Sequence, residues 1–377
     1  MKTLAHNMQQ RLLSRIKAHN ERSLVQQSAG VDFLSNDYLG YATSLSLKKR
    51  IIAEFSKQST IGSTGSRLLS GNHEYLVQLE SDLADLFQAE SGLLFTSGYS
   101  LNIGLLDAFT QRDDFLLLDE NVHASLKNSL KLSSARGFFF RHNDCEHLYI
   151  KLKRLREKQT QPADIFVVVE SLYSMDGDLA PLSKMVAVCE QFSAHLIVDE
   201  AHAMGTIGGD GKGLCCALGI EKRVFARVVT FGKAFGTSGA LLLGSSLLMK
   251  YITNFCHSFI YTTGMSLLTA VSIKEAVTRF SSQSKELCSL KKNIQYFNKV
   301  FQVKNHESPI YGLVFSTIEE LLSAAKELKY SGFLIQPIFS PTVSRGKEQL
   351  RLCLHSFNTQ EEIECFAKTL RAYSYEI

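Results

Sequence analysis

One lysine, Lys233, stands inside an otherwise uncharged run, VVTFGKAFGTSGALLLG (228–244). Lysine is almost never fully buried without a partner. Removing it from water disfavours the ammonium form and lowers its pKa by as much as roughly 3–5 units. An amine tuned in this way is a nucleophile toward aldehydes and forms a Schiff base. Upstream, the segment HLIVDEAH (195–202) ends an apolar run with Asp199 and His202. A pyridoxal phosphate ring needs a carboxylate beside its pyridine nitrogen, so that the protonated ring withdraws electrons, and Asp199 has the right chemistry for it. His202 and Ser174 are candidates to contact the ring's phenolic oxygen, and His123 to stack on its free face. The segment TSGYSLN, with Ser97, Gly98 and Tyr99, reads as a glycine turn opening a helix. Such a turn offers backbone N–H groups to a phosphate, and Thr230 adds a hydroxyl. Singly, each residue has a plainer account: a helix-capping Asp, a core or surface His, a snorkelling Lys. Their shared position at the ends of apolar runs points to one site.

The elements that must position these residues are short continuous apolar runs: GLLFTSG (92–98), DFLLLDE (114–120), IFVVVES (165–171), HLIVDEAH, RVVTFGK (227–233) and GALLLGS (239–245). Runs without a polar face are expected of strands covered on both sides in a mostly parallel sheet. Amphipathic helices lie between several of them. HEYLVQLESDLADLF carries Leu76, Leu79, Leu83 and Leu86 on one stripe. This alternation predicts an α/β architecture with helices on each face, and ligands in such sheets bind beyond the carboxyl ends of the strands. After about residue 270 the pattern changes. A long polar helical stretch, IKEAVTRFSSQSKELCSLKKNIQYFNKVF, precedes the strand candidates IYGLVFS, FLIQPIF and LRLCLHS. The last helix, TQEEIECFAKTLRAY, starts with a capping-box pattern at Thr359 and Glu362. This part reads as a smaller α+β domain.

Bulk properties narrow the function classes. The 377 residues suggest two or three domains. Apolar and charged fractions of 45% and 21% are those of an ordinary globular protein. A net charge of +4 without long runs of one sign gives no nucleic-acid signal. The eight cysteines are scattered, with no CxxC pair and no metal-ligand spacing, as expected of reduced thiols in the cytoplasm. The N-terminus places Leu12, Leu13 and Ile16 at helical spacing and has no continuous apolar h-region. No run is long enough to span a bilayer, so a cytoplasmic location is expected. The letters DEAH (199–202) also occur in ATP-driven helicases, but those need a GxxxxGK[ST] phosphate loop upstream. All three Gly-Lys pairs here follow residue 199, and none precedes Ser or Thr.

Five segments in order, SNDYLG (35–40), GSTGSRLLSGNHEYLVQLE (62–80), ESLYSMDGDLAPL (170–182), VDEAHAMGTIGGDGKG (198–213) and TFGKAFGTSGA (230–240), together with LRLCLHS (350–356), resemble the α-oxoamine synthases. These are fold-type I pyridoxal-phosphate enzymes, and the resemblance covers nearly the whole chain. It implies an aspartate aminotransferase-like α/β fold: a large domain with a seven-stranded-type, mostly parallel sheet flanked by helices, and a small α+β domain. The corresponding boundaries are an N-terminal helical or extended segment (1–38), the cofactor-binding domain (39–270) and the C-terminal domain (271–377).

Within the family, GS-x-GSRLLSG and SMDGD-x-APL resemble most the member that condenses L-alanine with a pimeloyl thioester in biotin synthesis, releasing carbon dioxide. Glycine C-acetyltransferase and signal-molecule synthases are the alternatives. By resemblance, Lys233 bonds the cofactor, Asp199 pairs with the pyridine nitrogen and His123 stacks. Ser174, His202 and Thr230 fix the ring and phosphate, and Gly98 and Tyr99 match the backbone phosphate site. Asn36 and Arg351 match positions near the amino-acid carboxylate, and Thr342 a substrate-contacting threonine. YTTG (261–264), with Thr262 and Thr263, matches a segment that reaches the partner subunit's phosphate, which implies a homodimer with shared sites. Relatives carry an N-terminal substrate arginine, for which Arg22 and then Arg15 are the candidates. The implied acyl donor is pimeloyl-CoA or a pimeloyl carrier protein. Three departures stand out: a short segment before SNDYLG, Phe339 and Ser340 where Arg-Pro is expected, and Glu200 where Asp is common. The short segment and the Phe339–Ser340 change fall on the acyl-substrate side.

Overall fold

The computed structural model describes residues 3–17, 21–22, 24, 29–158, 161–280 and 284–377. A two-residue strand, β1 (Val31–Asp32), precedes the strands of the main sheet: β2 (Ser91–Phe95), β3 (Phe115–Asp119), β4 (Arg136–Phe140), β5 (Ile165–Glu170), β6 (His195–Asp199), β7 (Ala226–Thr230) and β8 (Ala240–Gly244). Strands β3 and β5 are buried along their whole length, because apolar side chains leave both of their faces and helices cover each. The seven strands pair in the order β2-β8-β7-β6-β5-β3-β4. All run parallel except β8, which is antiparallel to β2 and β7. Residues 231–239 make a tight reversal between β7 and β8, closed by Phe231 N–H to Gly239 C=O at 3.0 Å. A connection that short cannot carry the chain back to the start of a parallel neighbour.

Three details differ from the periodicity reading, the third of them in the second sheet. The edge strand β4, sequence RGFFF, is exposed over its first four residues. An edge strand needs no two-sided apolar run, so it lacks the signal that marked the others. The long polar stretch after residue 270 divides into helices Leu267–Arg279 and Lys285–Phe301. Ser284 restarts the second, its hydroxyl accepting from Leu287 N–H at 3.1 Å, as an N-cap does.

The second sheet is antiparallel, in the order β11 (Gln336–Ile338), β12 (Gln349–Cys353), β9 (Ile310–Phe315), β13 (Tyr375–Glu376). The expected strand FLIQPIF is split: β10 (Phe333–Leu334) pairs with β1, and β11 pairs with β12. Pro337 lies in edge strand β11, the position where a residue without N–H is tolerated. In helix Gln360–Leu370 both capping-box bonds between Thr359 and Glu362 are present.

Two anchors matter for the site. Cys353 N–H donates to Phe33 C=O at 2.9 Å and Ser356 N–H to Tyr38 C=O at 2.8 Å. They fasten SNDYLG to the end of β12 and so bring Asn36 beside Arg351. In GSTGSRLLSG, Arg67 grips the Glu80 carboxylate with two bonds of 2.7 and 3.0 Å, a bidentate pair that fixes direction as well as distance. Glu80 in turn accepts from Leu94 N–H of β2 at 2.8 Å. Among the described residues, no helix is long and apolar enough to cross a membrane, and all eight cysteines are free.

Candidate active site

Beyond the carboxyl ends of β2, β5, β6 and β7 lies a cavity of about 350 Å³. It is lined by Asn36, Gly98, Tyr99, His123, Asp199, His202, Thr230 and Lys233 of the sequence-predicted set. The β7–β8 reversal presents Lys233, with Phe231, Ala234 and Phe235 buried around it. Gly236 has φ 62, and a Cβ there would come within 2.2 Å of Ala42 N, so only glycine fits this turn. Gly232 differs: a Cβ there would meet nothing nearer than 3.6 Å, an ordinary contact. The Lys233 pKa falls to about 8 because desolvation disfavours the ammonium form, against the pull of Asp199 and Glu170.

Asp199 ends β6 and is buried. Its Oδ1 accepts from Ala201 N–H at 2.9 Å, and its Oδ2 from Asn102 Nδ2 at 2.9 Å. Asn102 Nδ2 also reaches Ser125 Oγ at 3.1 Å, and Ser125 Oγ lies 2.8 Å from His123 Nδ1. His123 Nδ1 accepts from Ser125 N–H as well, at 3.2 Å, which leaves the ring's proton to Nε2. Burial lowers the His123 pKa, so the ring is neutral; the Asp199 charge opposes this. The His123 backbone N–H donates to Glu170 Oε1 at 2.5 Å. Glu170, level with Asp199 across the β5–β6 ladder, is pushed up to about 8 by burial and by the Asp199 charge. His202 is held far below its usual pKa by burial and then by Lys233 and Arg351.

At the far wall, Ser97 caps helix Gly98–Phe109, its hydroxyl accepting from Ser100 N–H at 3.1 Å. Among the described residues, the N–H groups of Gly98 and Tyr99 have no acceptor. A helix start of this kind is a ready anion site. Thr230 Cγ2 lies 2.7 Å from where a Gly98 Cβ would stand, so the glycine lets the helix start close against β7.

The remaining predicted residues lie away from this wall. Arg351 is buried, with Nη2 2.9 Å from Asn36 Oδ1 and Nε 2.5 Å from the Ser174 carbonyl. It therefore stands behind Asn36, tying the SNDYLG segment to the loop that carries Ser174. Thr342, Thr263 and Arg22 are exposed, and Thr262 is half-buried. Gly264, beside the threonine pair, donates its N–H to Gly65 C=O at 2.9 Å. Sequence reasoning did not single out Asn102, Ser125, Glu170 or Tyr38. Asn102 carried one legible signal, as the amide within the otherwise apolar stretch LNIGLL (101–106).

The family description "aminotransferase class I and II" matches residues 28–370. The 8-amino-7-oxononanoate synthase of Emericella nidulans is 35% identical over 374 residues, covering 92% of this chain and 90% of that protein. The enzyme of the same name from Lysinibacillus sphaericus is 32% identical, covering 92% and 89%. Among solved structures, a serine palmitoyltransferase from S. paucimobilis with bound PLP and myriocin superposes with a TM-score of 0.88 at 22% identity, over 97% of each chain. An 8-amino-7-oxononanoate synthase from Francisella tularensis gives 0.74 at 24% identity, over 90% of this chain and 96% of that one. These two superpositions show the shared fold.

Proposed function

The chain belongs to the aminotransferase class I and II family, and from that premise we propose that it is a pyridoxal-phosphate-dependent C-acyltransferase. It joins L-alanine to the acyl group of a pimeloyl thioester, releasing carbon dioxide and free thiol, to form 8-amino-7-oxononanoate in biotin synthesis. One observation carries the reading: a desolvated amine, a buried carboxylate and an acceptor-free helix start face the same cavity. The residues fit the cofactor at each of its polar ends. Lys233 is the amine for its aldehyde and Asp199 the anion for its ring nitrogen. Gly98 and Tyr99 N–H groups with the Thr230 hydroxyl serve its phosphate, and His202 and Ser174 its phenolic oxygen. When bound, the cofactor supplies an electron-withdrawing ring that weakens bonds at the amino acid's Cα.

This chain's residues do the rest. Asn36, which lines the cavity, and Arg351 behind it would hold the alanine carboxylate and so fix the orientation of its Cα bonds. Lys233, with a pKa of about 8, takes the Cα proton at Nζ and later returns it. His123, which lines the same cavity, would cover the bound ring and keep water from it. Asn102 and the Ala201 N–H hold the Asp199 carboxylate in one orientation.

The acyl donor is pimeloyl-CoA or a pimeloyl carrier protein, met by Thr342 and Arg22 at the exposed side. The protein acts as a homodimer in which Thr262 and Thr263 reach the partner's cofactor phosphate, in keeping with their position outside this chain's own cavity. It works in the cytoplasm. The test is a screen of four amino acids against several acyl thioesters, read as free thiol. Alanine with a pimeloyl thioester is expected to be fastest. Faster turnover of glycine with acetyl-CoA would overturn the substrate assignment while leaving the cofactor assignment standing.

A further inference from the structure

Tyr38 has no accessible surface, and its hydroxyl is the meeting point of two parts of the site. It lies 2.7 Å from His202 Nδ1 and 3.1 Å from Asn36 Oδ1. The same Asn36 Oδ1 accepts from Arg351 Nη2 at 2.9 Å. A tight turn holds Asn36 and Tyr38 as one unit, with Tyr38 N–H donating to Asn36 C=O at 2.8 Å. The Ser356 N–H pins the Tyr38 carbonyl from the other side at 2.8 Å.

A tyrosine hydroxyl has one proton to give, and here two acceptors compete for it. Asn36 Oδ1 already receives a charged guanidinium donor, the stronger kind of hydrogen bond. The contact to His202 is the shorter of the two. Burial keeps the Tyr38 hydroxyl protonated and the His202 ring neutral. A neutral imidazole has one donor and one acceptor nitrogen, and the bond made by one sets the other. If Nδ1 accepts from Tyr38, the proton resides on Nε2, the nitrogen left for the cavity that His202 lines.

We infer that Tyr38 is a positioning residue: its hydroxyl gives its one proton to His202 and fixes that ring as the Nε2–H tautomer, and the Asn36–Tyr38 backbone turn ties the ring to the Asn36–Arg351 end of the cavity. This rests on the proposed function, in which Asn36 and Arg351 hold an amino-acid carboxylate and His202 donates to the cofactor. It extends that reading to a residue that touches neither ligand and acts through two that do.

The test uses holoenzyme labelled with ¹⁵N-histidine, with the His202 signals assigned by their loss in His202→Asn. The dissociation constant of L-alanine is read in parallel from the absorbance of the bound cofactor. The wild-type protein should show His202 protonated at Nε2. Tyr38→Phe should redistribute that proton and weaken alanine binding by roughly fivefold, the size expected for one neutral hydrogen bond. Tyr38→Phe combined with His202→Asn should bind alanine no more weakly than His202→Asn alone. A wild-type His202 protonated at Nδ1 overturns the inference, and needs no variant to fold. So does a Tyr38→Phe protein with unchanged His202 signals and alanine affinity within twofold of wild type. Wild-type absorbance that does not respond to alanine would sink the proposed function and this inference together. A normal wild-type response with an unmoved His202 in the variant sinks the inference alone.

Discussion

The inner wall of the cavity and its outer approaches are built differently. Asp199 and Thr230 end adjacent strands of one sheet, Glu170 ends the next, and Lys233 and His123 follow strands directly. The side chains of Asp199 and His123 are joined through Asn102 and Ser125. Thr342, Thr262, Thr263 and Arg22 lie on connecting segments and are exposed or half-buried. Strand ends are held to one another by continuous ladder hydrogen bonds, whereas a connecting segment is placed only by what it touches. Bond-making groups need fixed geometry, and rigid elements supply it better than loops. Groups that choose among substrates can sit where the chain varies freely.

The contrast can be broken most sharply at Lys233. Lys233→Ala should abolish the borohydride-fixed label on the lysine peptide, checked by mass spectrometry, and lower turnover by at least about a thousandfold. A label persisting on another residue would move the chemistry off the inner wall. Asn102→Ala, which leaves Asp199 Oδ2 without its side-chain donor, should weaken cofactor retention about ten- to hundredfold, measured by absorbance after dialysis. Gly98→Ala forces a methyl against Thr230 Cγ2 and should cost about 1–3 kcal/mol in urea unfolding. Thr230→Ser in the same chain removes the opposing methyl, keeps the hydroxyl and should restore most of the loss.

The outer approach should respond in the opposite manner. Thr342→Ala is expected to change unfolding free energy by no more than about 0.5 kcal/mol while raising KM for the acyl thioester with cofactor absorbance unchanged. A loss of absorbance there would erase the distinction between the two regions.

The smallest effect on turnover is expected at His142, which follows β4. Its Nδ1 lies 2.9 Å from Asp119 Oδ1 at the end of β3, and its Nε2 2.8 Å from Asp178 Oδ2 in the loop carrying Ser174. Burial alone would lower its pKa, but the bonds to the two carboxylates outweigh it and push the group up to about 10. The stabilisation from this clamp is full below the ordinary histidine pKa of about 6.5. It is lost as pH rises from there through about 10. His142→Gln should flatten that alkaline limb in urea titrations at successive pH values. An unchanged slope would remove the clamp from the inner-wall machinery.

Much of the scaffold was legible because its signals are local. The uniform apolar runs of β3 and β5 announced buried strands, and Thr359 with Glu362 announced a helix start. Strand β4 escaped because half of its surroundings are water and its residues carry no two-sided pattern. The reversed direction of β8 was also hidden, since an apolar run has no polarity along the chain. In the site, Lys233, Asp199 and His202 were legible because each is chemically out of place in or beside an apolar run, and His123 because it lies just beyond the end of one. The role of Asn102 was not, since it depends on a carboxylate 97 positions away in sequence.

By itself, the sequence determined which side chains have intrinsic chemistry and which stretches must be covered on one face or both. Side-chain type and periodicity belong to neighbouring residues, and no fold is needed to read them. Only the tertiary structure decided that Lys233 loses its proton near pH 8, that Glu170 stands level with Asp199, and that Tyr38 reaches His202 and Asn36 together. Desolvation and hydrogen bonding act through space, so their outcome depends on what packs against a group and not on what precedes it in the chain.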